Sequence, residues 1–108
     1  MSGERQVQVT GVRITLSGDL DLPQADDLRR QLAQLSRPGQ RVEIDMSRVT
    51  FFNSTTVSVI AAAYQHIEAI GGAVVIIYPS VIVRRVLEIT GLQNLIDPVL
   101  PVAVDPSG

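Results

Sequence analysis

The sequence predicts an α/β fold in which helices pack on a mixed β-sheet, and two patterns carry this prediction. Apolar residues alternate with polar ones in some segments, as in strands, and recur at helical spacing in others. These segments follow one another in the order β-β-α-β-α-β-α-β, which is typical of layered α/β domains. A chain of 108 residues can form one hydrophobic core. We therefore expect a single domain over 1–108, with short tails at 1–4 and 105–108.

The N-terminal segment predicts a hairpin followed by a helix. RQVQVTGVRITLSG alternates around Gly11. Three apolar residues of this segment are expected to share one face: Val12, Ile14 and Leu16. The spacing then changes to that of a helix at Leu28, Leu32 and Leu35, and Pro23 fits the first turn.

The middle of the chain predicts two strands joined by a long helix. RVEIDMS alternates, with Val42, Ile44 and Met46 inward. The fourteen residues from Val57 to Ile70 contain no glycine or proline, which predicts a helix that Gly71 ends. AVVIIY is a continuous apolar run, typical of a strand covered on both faces. We expect both strands to be interior strands of the sheet.

The C-terminal part predicts one more helix and a weak strand. PSVIVRRVLEIT is amphipathic, with Ser80 as a possible N-cap and Gly91 at its end. LIDPVLPVAV is interrupted by Pro98 and Pro101, which fit an edge strand and not a central one. The predicted sheet thus has four to five strands.

Composition excludes several classes of function. There is no cysteine for a disulfide or a thiolate metal site, and the net charge of −2 offers no basic surface for nucleic acid. The N-terminus lacks an apolar signal region, and no apolar run reaches the length of a membrane span. We expect a cytoplasmic protein that binds no nucleic acid and does not insert into membranes.

The residues provide no visible catalytic machinery. His66 is the only histidine and lies in the middle of a predicted helix, and Asp19 and Asp21 read as a solvated loop pair. The phosphate-binding patterns GxxxxGK and GxGxxG and the nucleophile pattern GxSxG are all missing. We expect no catalytic residue, no metal site and no cofactor.

Four consecutive polar residues stand where a predicted strand meets a predicted helix: Asn53, Ser54, Thr55 and Thr56. Such residues are good N-caps, because their oxygens accept hydrogen bonds from the free N–H groups of the first turn. The same position suits a phosphate, which interacts with those N–H groups and with the positive end of the helix dipole. The residues alone leave open whether the segment is a cap or a cap that also carries a switch.

The helix behind this segment is apolar on more than one side. Val59, Ala63 and Ile70 lie away from the stripe that would cover the sheet. A second apolar side requires a second partner, which is either another helix of the fold or another protein.

The order of these motifs resembles the STAS domain family, the anti-sigma factor antagonists of bacteria. The similarity covers nearly the whole chain, through LSGDLDLPQADDLRRQL, VEIDMSRVTFFNSTTVSVIAAAYQHIEAIGG and VVIIYPSVIVRRVLEITGL. The family pattern has a G-x-L-D turn, a D-S-S-G-L motif before a helix, a Gly-Gly pair and a helix that ends in T-G-L. The resemblance implies one α/β domain whose helices lie mainly on one side of the sheet.

The resemblance also implies a binding function without catalysis. The unphosphorylated domain would bind an anti-sigma factor that is a serine kinase and so release a sigma factor. That kinase would phosphorylate Ser54, with Thr55 as the alternative acceptor, and a PP2C-type phosphatase would remove the phosphate. The implied partner surface consists of Asp21 and residues at the start of the helix: Asn53, Ser54, Thr55, Thr56 and Val57. We expect a monomer or a weak dimer.

The chain departs from the family motif at three positions, and these departures leave alternatives. Asn53 replaces an aspartate, Thr56 replaces a glycine beside which a partner backbone could pass, and Ser58 replaces a second glycine. The resemblance is therefore compatible with a phosphorylation-insensitive STAS scaffold. It is also compatible with the small STAS subunit of a lipid-transport ABC system.

Overall fold

A computed structural model describes residues 7–10, 12–35 and 37–96. Their strands and helices, in chain order, are β1 (Val7–Thr10), β2 (Arg13–Leu20), α1 (Leu22–Gln34), β3 (Arg41–Phe52), α2 (Ser54–Ala69), β4 (Ala73–Ile77) and α3 (Val81–Thr90). A short 3₁₀ helix follows at Gln93–Leu95. None of the helices in these ranges is long and apolar enough to cross a membrane.

The strands form one sheet in the order β1-β2-β3-β4. β2, β3 and β4 are parallel to one another, and β1 pairs antiparallel with β2, so the predicted hairpin is correct. The α/β fold is confirmed. The described sheet has four strands, three parallel and one antiparallel, and so agrees with the predicted mixed sheet of four to five strands.

One hydrophobic core joins the sheet to all three helices. The inward residues predicted for β3 are correct, since Val42, Ile44 and Met46 are fully buried. From the helices, the core takes Leu28 and Leu32 of α1, Val57, Ile60 and Ile67 of α2, and Val83 and Leu87 of α3. Burying these apolar side chains is the main term that stabilises the domain.

Charged side chains occupy the alternate positions of the same strands. Arg13 of β2 donates to Glu43 of β3 through Nη2 at 2.9 Å, and Arg41 lies 3.5 Å from the same carboxylate. The hydrogen bond to Glu43 raises the pKa of Arg13 above its ordinary value. These partly exposed ion pairs contribute little to stability, so the fold depends on the apolar face of the sheet.

The structure corrects one expectation about the strands and bears on a second. Val12 does not share the buried face of Ile14 and Leu16, because it lies in the turn before β2 and is exposed. β4 is the last strand of the described part of the sheet, but a parallel bridge joins its Ile76 to Ile96, where the predicted C-terminal strand begins, so the interior position of β4 stays a prediction. The apolar run of β4 reflects burial on both faces of the strand, since the consecutive residues Ile76 and Ile77 are both fully buried.

The predicted C-terminal strand is described only at its first residues. Leu95 ends the 3₁₀ helix and Ile96 forms the bridge to β4. The rest of that predicted strand, including Pro98 and Pro101, lies outside the described residues, as do both predicted tails.

β3 is longer than predicted, and its extra length positions the candidate site. The strand pairs with β4 only as far as Asp45, but it continues along β2 until Phe52 pairs with Leu20. Two register shifts in the β2–β3 ladder accompany this extension. As a result, β2 and β3 end side by side, and α1 and α2 begin next to each other.

Candidate functional site

The site lies at the carboxyl ends of β2 and β3, where two helices start. Asp21 is the N-cap of α1 and Asn53 is the N-cap of α2. The Thr56 hydroxyl donates to the carbonyl of Leu20 at 3.2 Å and so ties the first turn of α2 to the end of β2. The structure thereby brings together the two sequence segments that we predicted to face a partner.

Asp21 is exposed at this edge. Its N–H donates to Oε1 of Gln24 at 3.0 Å, which fixes the backbone at the start of α1. A carboxylate at a helix N-terminus is stabilised by the helix dipole, so the domain itself tolerates this charge.

Asn53 and Thr56 are the structural members of the polar segment. Oδ1 of Asn53 accepts from the backbone N–H of Thr56 at 3.1 Å, which is the N-cap hydrogen bond of α2. It also accepts from the Thr56 hydroxyl at 3.3 Å. Asparagine and aspartate cap helices about equally well. Asn53 therefore performs the capping role that an aspartate would have at this position.

Ser54 and Thr55 are the exposed members of the segment. Ser54 is the first residue of α2, and no described residue forms a hydrogen bond with its hydroxyl. Its backbone carbonyl accepts from the Ser58 hydroxyl at 3.0 Å. The Ser54 side chain is thus not the cap, and the residue is exposed to solvent.

Two of the predicted partner-binding residues are buried. Thr56 has no exposed surface and Val57 is 6% exposed. Thr56 points toward the Leu20 carbonyl, and Val57 belongs to the core. Neither side chain is available to a partner in this structure, and the expectation that they form part of the surface is corrected.

The other two candidate residues, Asp19 and His66, lie on β2 and α2. Asp19 lies in β2 rather than in a loop and accepts from the Thr50 hydroxyl at 2.8 Å. His66 is exposed on α2. Within the described ranges, no group of three or more His, Asp or Glu side chains is arranged to hold a metal ion.

The second apolar side of α2 faces α1. Val59 and Ala63 pack against the core, and with Ala62 they line a pocket of about 180 Å³ between the two helices. From α1 the pocket takes Leu32 and Ala33, and Arg29 and His66 complete its lining. The partner of this side is therefore, at least in part, another helix of the fold.

Sequence reasoning missed a set of exposed apolar residues at the starts of α1 and α3 and near the end of β3. Leu22 and Val81 are the first residues of α1 and α3, and they are 61% and 79% exposed. Phe51, next to the end of β3, is 47% exposed, whereas Phe52 beside it is buried. The available signal was an apolar residue directly after an N-cap, a position that contributes little to a core.

Comparison with known proteins places this geometry in a family. The sequence-family model of the STAS domain matches residues 4–105 of this chain. The chain belongs to the STAS domain family. The resemblance read from the sequence motifs is thus confirmed.

Relatives of this STAS domain are anti-sigma factor antagonists. The anti-sigma-B factor antagonist of Bacillus subtilis (strain 168) is 27% identical over 86 residues, which cover 80% of this chain and 79% of the relative. The solved structure of the anti-sigma factor antagonist SpoIIAA in its unphosphorylated form has a TM-score of 0.70 at 21% identity, covering 94% of this chain and 90% of that one.

A second solved structure, of the Bacillus cell fate determinant SpoIIAA in its phosphorylated form, is similar to the same extent. Its TM-score is 0.67 at 19% identity, and it covers 94% of this chain and 93% of that one. Both matches show that the STAS fold extends over almost the whole chain.

Proposed function

We propose that this chain is an anti-sigma factor antagonist that binds an anti-sigma factor through the edge formed by Asp21 and the start of α2. Binding would release the sigma factor that the anti-sigma factor holds. The observation that carries the proposal is the exposed, unbonded hydroxyl of Ser54 at the first position of α2, adjacent to the exposed start of α1. The family and its antagonist relatives support the same function.

The surface that would meet the partner consists of Asp21, Asn53, Ser54 and Thr55. Asp21, Ser54 and Thr55 are exposed, and Asn53 is partly exposed. Thr56 supports this surface without being part of it. It replaces the small glycine of the family motif, but its side chain is directed inward, toward the Leu20 carbonyl. A partner backbone can therefore approach this turn without meeting the Thr56 side chain.

Ser54 is the proposed phosphorylation site, and the geometry explains how a phosphate would act. The cap bond occupies the Thr56 N–H, which leaves the N–H groups of Ser54 and Thr55 at the start of α2 to interact with a phosphate. The domain can thus accept the modification. At an interface built for a neutral hydroxyl, however, about 1.5 to 2 negative charges oppose binding through desolvation and repulsion.

The proposed partners are an anti-sigma factor with serine kinase activity and a PP2C-type phosphatase that restores the hydroxyl. The chain itself would act by binding and not by catalysis. The proposal implies a protein of the cytoplasm.

The test uses the purified chain with the anti-sigma factor kinases encoded in the same genome. Incubation with ATP and mapping by mass spectrometry should place a single phosphate on Ser54. Ser54→Ala should bind the kinase and resist phosphorylation, and Ser54→Asp should bind at least tenfold more weakly, a loss of roughly 1.4 kcal/mol. Thr55→Ala removes the alternative acceptor, and this variant should still carry the phosphate on Ser54.

Different failures of this experiment have different meanings. A phosphate on Thr55 alone would move the switch by one residue. Binding without any phosphate, under an active kinase, would indicate a phosphorylation-insensitive STAS scaffold. Absence of binding to every such kinase would overturn the proposed function and favour another role, such as a subunit of a transport ATPase.

A further inference from the structure

The amide group of Asn53 has a fixed orientation at the start of α2. Its Oδ1 accepts from the Thr56 N–H at 3.1 Å and from the Thr56 hydroxyl at 3.3 Å. Only the oxygen of a side-chain amide accepts hydrogen bonds, so the nitrogen Nδ2 lies on the other side of the group. Within the described ranges, the two N–H donors of Nδ2 have no hydrogen-bond partner, and Asn53 is partly exposed. Asn53 therefore offers two unused donors at the residue before Ser54.

The departures from the family motif at Asn53 and Thr56 act together. Thr56 provides both hydrogen bonds that hold Oδ1, and a glycine at its position would have no hydroxyl for the second of them. The Thr56 hydroxyl also lies 3.2 Å from the Leu20 carbonyl, so this buried residue is itself attached to the end of β2. An aspartate at position 53 could accept the same bonds, but it has no N–H to donate. Relative to the motif, this chain gains an amide donor.

A phosphate on Ser54 would stand next to this donor. Ser54 directly follows Asn53 and is exposed at the first position of α2. With an aspartate at position 53, a carboxylate would repel the phosphate, which carries about 1.5 to 2 negative charges, from the adjacent residue. The asparagine removes this repulsion and replaces it with N–H groups. Hydrogen bonds to a charged acceptor are stronger than those between neutral groups, so the exchange favours the phosphate.

We infer that Asn53 binds the phosphate of phosphorylated Ser54 through its amide nitrogen Nδ2, and thereby stabilises the phosphorylated form of this chain. The inference rests on the proposed function, because it requires a phosphate on Ser54, and it gives a regulatory role to a residue that the fold uses as a cap. Asn53 is a positioning residue in this scheme. Together with the N–H groups of Ser54 and Thr55, its amide orients the phosphate and favours the dianion.

The test introduces phosphoserine at position 54 by genetic code expansion, so it requires no kinase. Three chains are compared: the wild type, Asn53→Gly and Asn53→Asp. Aspartate caps a helix about as well as asparagine, and glycine only slightly less well. The melting temperatures of the three unphosphorylated chains should therefore agree within a few degrees. Glycine has neither a charge nor a side-chain donor, whereas aspartate has a charge, so the comparison separates the two effects.

Phosphorus NMR measures the second pKa of the phosphate in each chain. A hydrogen bond from Asn53 favours the dianion, so this pKa should be lowest in the wild type and higher in Asn53→Gly. It should be highest in Asn53→Asp, where the phosphate should hold its second proton roughly threefold more tightly than in the wild type. In ¹H–¹⁵N spectra, the side-chain NH₂ signal of Asn53 should move downfield as the dianion forms. That of Asn94, which is also exposed, is the internal reference and should stay in place.

Two results would overturn the inference. If the Asn53 NH₂ signal does not respond to the phosphate, or if the second pKa is the same in the wild type and in Asn53→Gly, Asn53 is a cap and nothing more. Neither result affects the proposed function, which the binding and kinase experiment decides separately. Absence of binding to every anti-sigma factor kinase would instead overturn the proposed function, whatever the spectra of the encoded phosphoserine show.

Discussion

Thr56 shows how one buried hydroxyl connects two distant parts of the chain. Its Oγ1 donates to the Leu20 carbonyl, which is 36 positions earlier in the sequence. Thr56→Val fills nearly the same space but cannot donate, so it should lower the free energy of unfolding by about 1–2 kcal/mol in urea titrations. Ser58→Ala on the same helix removes an exposed hydroxyl and should change stability by less than about 0.5 kcal/mol. Equal stability of Thr56→Val and the wild type would show that the bond is not structural.

Asn53 and Ser54 are neighbours with different roles, and stability measurements can separate them. Asn53→Ala removes the N-cap of α2 and should lower the free energy of unfolding by about 1 kcal/mol. Ser54→Ala removes a hydroxyl that has no described hydrogen-bond partner. The free energy of unfolding should therefore change by less than about 0.5 kcal/mol. A loss of stability in Ser54→Ala as large as that in Asn53→Ala would identify Ser54 as a second cap.

The sequence could predict part of this site because part of it is local. A cap bond spans three positions, so the polar types at Asn53 to Thr56 were sufficient to predict a helix start. Which of the four residues point outward depends on the pairing of Leu20 with Phe52, which no local pattern contains. The expectation about the Thr56 and Val57 side chains was wrong for that reason.

At the scale of elements, the junction of α2 and β4 depends on the close approach of Gln40 and Ile67 to Gly72. A Cβ atom at this position would lie 2.5 Å from the Gln40 carbonyl oxygen and 2.8 Å from Cγ2 of Ile67. Gly72→Ala should therefore destabilise the domain by about 2–3 kcal/mol, because backbone and core must both move. Urea titration is the measurement.

The matched control for that substitution is Gly91→Ala at the end of α3. Gly91 has a φ of +77°, but a Cβ atom there would meet nothing within 4 Å. Only the left-handed backbone conformation is penalised, which costs about 1 kcal/mol. If both variants lost the same stability, the contact at Gly72 would not be tight.

Helices were easier to predict than strands in this chain. Ser80 and Gly91 bound α3 as expected, since caps act within one turn of the helix. The end of β3 was missed because the register shifts interrupt the alternation after Met46. The apolar run of β4 reports burial and does not report which strands are its neighbours.

At the scale of the whole molecule, the candidate site stands on a single core with all three helices attached to it. The two forms of SpoIIAA, unphosphorylated and phosphorylated, match this chain with similar TM-scores of 0.70 and 0.67. The fold that this chain shares is thus compatible with either form of the relative. The switch proposed at Ser54 would then operate by surface charge, without a rearrangement of the core.

This view makes a prediction for Ser54→Asp that is independent of any partner. Because the Ser54 side chain is exposed and its hydroxyl has no described hydrogen-bond partner, the new charge should disturb only its surroundings. Thermal unfolding should shift by no more than a few degrees. In ¹H–¹⁵N spectra, amide shifts should change around the starts of α1 and α2, while amides of core residues such as Ile44 and Leu87 stay in place. Shift changes spread through β4 and α3 would instead show that the charge acts by changing the fold, and a switch confined to the contact surface would be excluded.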